Sequence, residues 1–150
     1  PQVFYGDELA MAGGPDPDNR HDMPGGFVGD TVSAFTGAGL SSEQAEAQAW
    51  IRRLIEIRQK HPALRSGAFT ELLATPETLV ALKTDQGSNA LVVFHLGQEP
   101  RTLELAWPDF KPALDGRYRS AFDPSRVLDI RTNAAALALE PNGVQIWIKE

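Results

Sequence analysis

The chain has 150 residues, 42% of them hydrophobic and 23% charged, which suits one ordinary domain, or a small domain with an attachment, and excludes a disordered or fibrous protein. A net charge of −6 argues against a nucleic-acid partner, because phosphate binding rests on clustered Lys and Arg. With no Cys, disulfides and thiolate chemistry are excluded and the compartment stays open between cytoplasm and periplasm; no apolar run approaches the roughly 18–20 residues of a membrane span.

The chain opens Pro1-Gln2-Val3-Phe4-Tyr5, without an initiator Met and already inside an apolar, β-favouring run. Natural N-termini are more often polar and loose, so residue 1 reads as a cut through a longer protein. Residues 1–5 are predicted as one short buried strand, ended by Gly6-Asp7-Glu8. Residues 9–42 are rich in Gly, Pro and Asp and read as one long loop. Connections beyond about 15 residues are usually functional or disordered. Met11, Met23, Phe27, Val28 and Phe35 offer something to bury, which favours an ordered, functional loop.

A helix is predicted from about Glu43 to Lys60, with Ser41 as its cap and Gln44 completing a capping box. Ala47, Trp50, Ile51, Leu54 and Ile57 or Arg58 recur at three and four residues and define one buried stripe. His61-Pro62 stops the helix, since Pro disfavours helical geometry in the residue before it.

From Gly67 the period changes to two. Leu103, Leu105 and Trp107 alternate with Thr102, Glu104 and Ala106, and Val144, Ile146 and Ile148 with Gln145, Trp147 and Lys149. Ala90 to Leu96 is almost wholly apolar and reads as a central strand. Asp85-Gln86-Gly87-Ser88 and Pro141-Asn142-Gly143 are predicted hairpin turns in which Gly supplies the positive φ. Strands near 68–74, 78–84, 90–96, 101–107, 117–122, 127–131, 135–140 and 144–149 predict a sandwich of about eight strands. Residues 67–150 can close a core alone. Residues 1–66, with one strand, a long loop and a helix, have too few partners and match one unit of a βα-barrel.

The segment Asp16-Pro17-Asp18-Asn19-Arg20-His21-Asp22 concentrates polar chemistry. Its oxygen ligands suit calcium as a class, but counted as an EF-hand from Asp16 it has His21 where Gly is needed and Phe27 where Glu is needed. A His metal site fails as well, since His21, His61 and His95 are far apart in sequence. Sugar recognition fits better: a carboxylate accepts from neighbouring hydroxyls while a guanidinium donates back in a fixed fork. Asp16 and Arg20 can form such a clamp, or simply a local ion pair bracing a turn; the residues alone favour the ion pair.

Pro1-Gln2-Val3-Phe4-Tyr5-Gly6-Asp7-Glu8-Leu9-Ala10-Met11, Gly13-Gly14-Pro15-Asp16-Pro17-Asp18-Asn19-Arg20 and Met23-Pro24 resemble the eighth-strand region of the α-amylase family of glycoside hydrolases. Leu54-Ile55-Glu56-Ile57-Arg58-Gln59-Lys60-His61-Pro62-Ala63-Leu64 resembles that family's last barrel helix, and the remainder its C-terminal antiparallel domain. The Asp18-to-Met23 wording is closer to neopullulanase and cyclomaltodextrinase relatives, although Pro24-Gly25-Gly26-Phe27 departs from the ending of many of them.

The resemblance implies an α+β fold: over 1–66, the last strand, loop and helix of a (β/α)8 barrel, then over 67–150 an antiparallel β-sandwich. It implies a parent enzyme acting on α-glucosidic bonds of starch-like oligosaccharides. Asp16 and Arg20 match the family's pair that holds glucosyl units on the non-reducing side of the cleavage point, and Glu8 a position at the barrel mouth with a structural role. The partners implied are an α-glucan oligosaccharide and the rest of the barrel. No cofactor is expected of this chain, with calcium left open for the parent.

No catalytic residue is assigned. Retaining glycosidases hold two carboxyl groups about 5–5.5 Å apart, and in the family these come from earlier strands. Asp7 and Glu8, as strand neighbours, would point to opposite faces. Alone, the chain is expected to be inactive and to self-associate or lose order over 1–40 through uncovered apolar surface. The alternative reading is a non-catalytic glycan-binding or interaction module, for which an exposed Trp147 would be the platform, whereas Trp107 follows its strand's apolar face into the core.

Overall fold

The computed structural model describes residues 2–107, 110 and 114–150. Two helices, α1 (Ser42–Lys60) and α2 (Pro62–Ser66), precede eight strands. These are β1 (Ala68–Ala74), β2 (Thr78–Asp85), β3 (Ser88–His95), β4 (Arg101–Ala106), β5 (Gly116–Ser120), β6 (Val127–Ile130), β7 (Ala134–Leu139) and β8 (Gly143–Lys149). The chain divides into two compact units, Pro1–Glu56 and Ile57–Glu150.

The first unit is built mainly of turns. The strand expected over 1–5 does not form: residues 2–4 have no regular structure, a 3-10 turn covers Asp7–Leu9, and Val3, Phe4 and Tyr5 are exposed. Pro1 lies outside the described residues. A strand persists only when a neighbour takes its backbone groups, and the segment has none among the described residues. Phe4 and Asp7 instead close a tight turn on each other, Phe4 N–H donating to Asp7 Oδ2 (2.9 Å) and Asp7 N–H to Phe4 O (3.1 Å).

The loop that follows is ordered, but not as its apolar content predicts. Phe27, Val28 and Phe35 stand exposed, and Leu9 and Ala34 are the fully covered apolar residues described there. Hydrogen bonds hold the path instead: Asp30 Oδ2 accepts from Gly25 N–H (2.8 Å) and Phe27 N–H (3.1 Å), and Ala34 N–H donates to Pro24 O (2.9 Å).

The capping box at α1 forms as read. Gln44 N–H donates to Ser41 Oγ (3.2 Å) and Ser41 N–H to Gln44 Oε1 (3.0 Å), which satisfies two otherwise orphaned donors. Along the helix Ala47, Ile51 and Leu54 are half-buried and Ile57 buried, the predicted stripe, but Trp50 is exposed. His61 is extended and Pro62 opens α2. Arg58 donates to the Leu64 and Arg65 carbonyls, and α2 packs on β2 and β3.

In the second unit all eight predicted strands are present within about two residues at each end. They form a six-stranded antiparallel sheet, ordered β1-β2-β3-β8-β5-β6, and a two-stranded sheet, β4-β7. The core between them draws Val80, Leu91, Tyr118, Ile130 and Trp147 from the large sheet, and Leu103, Leu105, Leu137 and Leu139 from the small one. Each such leucine stabilises by about 2 kcal/mol on burial, which is what holds an otherwise marginal two-stranded ribbon.

The β2–β3 hairpin turns through Gln86 (φ 36°) and Gly87 (φ 91°), both in the left-handed region that matches strand twist. At the β7–β8 turn the expectation needs correcting twice: the two strands join different sheets and form no hairpin, and Asn142 (φ 49°), not Gly143, takes the positive φ, since Asn tolerates that region through its short polar side chain.

β6 and β7 begin as a hairpin, with Arg131 bridged to Ala134, and then part into different sheets. Asn133 (φ 53°) locks the parting point. Its Oδ1 accepts from Leu114 N–H (2.6 Å), its Nδ2 donates to Phe110 O (3.2 Å), and its backbone N–H donates to Asp115 Oδ1 (2.6 Å).

Trp107 lies against the core and its indole N–H donates to Leu72 O (3.1 Å), the carbonyl at an irregularity in β1. Trp147 is only 4% exposed. It stands opposite Leu91 of β3 and enters the core with it, so the exposure that a glycan platform at Trp147 would need is absent. Its N–H donates to Gln145 Oε1 (3.0 Å) and the Arg126 guanidinium lies 5.6 Å over the ring. Among the described residues no helix is long and apolar enough to cross a membrane.

Candidate functional site

Residues 15–19 form consecutive turns: Asp18 N–H donates to Pro15 O (2.8 Å) and Arg20 N–H to Pro17 O (3.2 Å). The Asp16–Pro17 bond is cis. This folding carries Asp16 and Arg20 to the same side, with Arg20 Nη2 3.1 Å from Asp16 Oδ1. The side chains are 66% and 71% exposed respectively. An ion pair so open to water is worth at most about 1 kcal/mol. One carboxylate oxygen and the rest of the guanidinium fork remain turned to solvent, and together they can accept from and donate to vicinal hydroxyls. The brace and the clamp are therefore compatible in one geometry.

Asp7 and Glu8 have structural partners. Glu8 Oε2 accepts from Gly6 N–H (2.9 Å), as Asp7 Oδ2 does from Phe4 N–H. They sit on a 3-10 turn rather than a strand, so the opposite-faces argument against them gives way to this one: each carboxylate has an oxygen engaged by backbone.

The three histidines occupy unrelated places. His21 Nε2 lies 3.6 Å from Asp18 Oδ1. His61 precedes α2, and burial, followed by the neighbouring Lys60 charge, lowers its pKa below the usual imidazole range. His95 is buried, with Nδ1 3.0 Å from Thr78 Oγ1 and Nε2 3.2 Å from Glu99 O. Among the described residues no group of three or more His, Asp or Glu side chains is disposed to hold a metal ion.

Sequence reasoning missed a cleft of about 170 Å³ beside the Asp16–Arg20 pair, lined by Phe4, Tyr5, Asp7, Met11, Asn19 and His21 among others. The Phe4–Asp7 turn forms one wall of it. Phe4 and Tyr5 make a tilted aromatic pair there, with ring centroids 4.7 Å apart. With Trp147 in the core, the platform that would have supported a separate glycan-binding module is absent at that residue.

No family model matches the chain. It is 31% identical over 107 residues to a cyclomaltodextrinase from Geobacillus thermopakistaniensis, a match covering 70% of this chain and 16% of that protein. It is 30% identical over 74 residues to an amylopullulanase from Thermoanaerobacter thermohydrosulfuricus, covering 49% and 4%. Among solved structures, an α-amylase from Geobacillus thermoleovorans complexed with acarbose superposes with a TM-score of 0.73 at 22% identity, over 97% of this chain and 28% of that one. The chain thus spans less than a third of each of these proteins.

Proposed function

Because the chain belongs to the α-amylase family of glycoside hydrolases, on its cyclomaltodextrinase-like branch, we propose that it forms the C-terminal part of an enzyme hydrolysing α-glucosidic bonds of starch-like oligosaccharides. The observation that carries this reading is the 31% identity over 107 residues to a protein named cyclomaltodextrinase. On this reading residues 1–66 complete a (β/α)8 barrel and residues 67–150 are the β domain that follows it. The superposition over 97% of the chain on an α-amylase supports that arrangement. Catalytic carboxylates come from the rest of the barrel, and the isolated chain is inactive.

Asp16 and Arg20 hold a glucosyl unit on the non-reducing side of the cleavage point. Their exposure and the unengaged side of each group support this role over that of a brace alone. The α-glucan is the substrate partner and the remaining barrel the structural one.

The test uses the full-length gene product on maltooligosaccharides. Asp16→Ala and Arg20→Ala should each raise KM about tenfold or more with little effect on melting temperature, since the pair adds so little stability. Variants that melt earlier while keeping wild-type KM would reduce the pair to a brace. A full-length product without hydrolysis would overturn the enzyme reading itself.

A further inference from the structure

We propose that Asn142, in the turn between β7 and β8, is a site of spontaneous covalent modification. Its side-chain amide is lost to attack by the following backbone nitrogen, which leaves a mixture of aspartate and isoaspartate and loosens a joint between the two sheets. The reaction takes only water, and it is independent of what the parent enzyme hydrolyses.

The chemistry follows from Asn142–Gly143, the one Asn–Gly step in the sequence. The Gly143 nitrogen bonds to Asn142 Cγ and closes a five-membered cyclic imide. The Cγ–Nδ2 bond breaks, and the amide leaves as ammonia with the proton that the Gly143 nitrogen gives up. Water then opens the imide. Cleavage between Cγ and nitrogen gives aspartate; cleavage at the α-carbonyl gives isoaspartate, whose backbone runs through Cβ and Cγ. A Cβ on the attacking residue obstructs the approach, and glycine has none.

The structure separates Asn142 from the other asparagines. Asn89 lies inside β3 and precedes Ala90. Asn133 is 8% exposed, with its side chain engaged by Leu114 N–H and Phe110 O, and precedes Ala134. Asn19 is exposed but precedes Arg20. Asn142 is exposed in a turn, and its amide is held by another exposed side chain, Gln98. Nδ2 donates to Gln98 Oε1 at 3.4 Å and Oδ1 accepts from Gln98 Nε2 at 3.2 Å. Opposing the attack, Gly143 N–H donates to Glu140 O (3.1 Å). One such bond holds the nitrogen back by about tenfold or less, so it slows the reaction without preventing it.

The position gives the change a consequence. The β3–β4 connection and the β7–β8 turn each carry the chain from one sheet to the other. Asn142 fastens them together: its backbone N–H donates to Gly97 O (3.1 Å) and its side chain pairs with Gln98. A carboxylate cannot donate to Gln98 Oε1 and brings a charge close to Glu140. Isoaspartate also lengthens the backbone by one carbon in a turn without slack, where a Cβ at Gly143 would lie 2.7 Å from Glu140 O.

The test is incubation of the 150-residue chain at neutral and alkaline pH, followed by proteolysis and mass spectrometry. Asn142 should lose its amide about tenfold or more faster than Asn19, the exposed asparagine that lacks a following glycine. The loss should speed up as pH rises, because the attacking nitrogen must shed its proton. An endoproteinase that cuts before aspartate but not before isoaspartate should leave part of the product uncut. Asn142→Gln, whose ring closure is slower, should keep its amide under the same conditions. Conversion at Asn142 no faster than at Asn19 would overturn the site. Aged wild-type chain should unfold at lower urea concentration than fresh chain, while the aged Asn142→Gln chain should not shift. An unchanged midpoint in fully converted wild type would overturn the loosening of the joint.

Discussion

Tyr118 shows how one side chain couples the core to pH. It is fully buried, and its hydroxyl donates to Leu114 O at 2.8 Å. Burial first, and the Asp115 charge second, push its pKa up to about 12. An unfolded tyrosine ionises near pH 10. The folded state therefore holds the proton where the unfolded state releases it. The stability tied to Tyr118 is intact below about pH 10 and is lost as pH rises toward 12. Tyr118→Phe should abolish that alkaline loss, while costing about 1 kcal/mol at neutral pH for the hydrogen bond. Urea titrations of both proteins at neutral and alkaline pH check this; parallel alkaline losses would assign the effect to other groups.

At the scale of elements, α1 is secured at its first turn by Ser41 and Gln44, and its apolar stripe is only half-covered. Ser41→Ala should lower local helix stability by about 1 kcal/mol, read as faster amide exchange at Gln44 and its neighbours without change in the strands. This cap was legible because it is local: four consecutive residues carry it. The strands were legible for a related reason, since alternation such as Leu103-Glu104-Leu105 records a single covered face. Assignment of strands to sheets was not, because β8 pairs with β3 and β5, far away in sequence. Alternation in β8 separated Trp147 from Ile146 but could not tell that both faces are covered. At the start of the chain the apolar run 1–5 read as a strand because composition reports preference, not the presence of a neighbour. Asp16 and Arg20 were legible as a pair, four residues apart; the Tyr5 cleft depends on a turn that no pattern announced.

For the whole molecule the contrast between the two units is decisive. The second closes a core between two sheets, while the first leaves Val3, Phe4, Tyr5, Phe27, Val28 and Phe35 exposed. Exposed apolar side chains at this density mark a surface that another surface normally covers. The 150-residue chain should therefore self-associate at high concentration, with residues 2–41 exchanging amide protons early and β2, β3 and β8 last. Light scattering and hydrogen exchange measure both. A monodisperse monomer protected over 2–41 would count against its being a piece of a barrel.

The parting of β6 and β7 also bears on how the chain reaches this state. Among the described residues β4 (101–106) pairs only with β7 (134–139), across the whole β5–β6 hairpin, and β3 reaches β8 across a longer stretch still, whereas β1–β2 and β2–β3 join immediate neighbours. Closing these longer loops costs more chain entropy before any contact repays it, so the two-stranded sheet and the β3–β8 pairing follow the β1–β2–β3 meander in folding. Leu137→Ala should then accelerate unfolding while leaving the folding rate nearly unchanged, and Val80→Ala should slow folding. A chevron plot with the opposite pattern would put the small sheet in the nucleus. Order of assembly would thus be written in the one hairpin that the fold pulls apart.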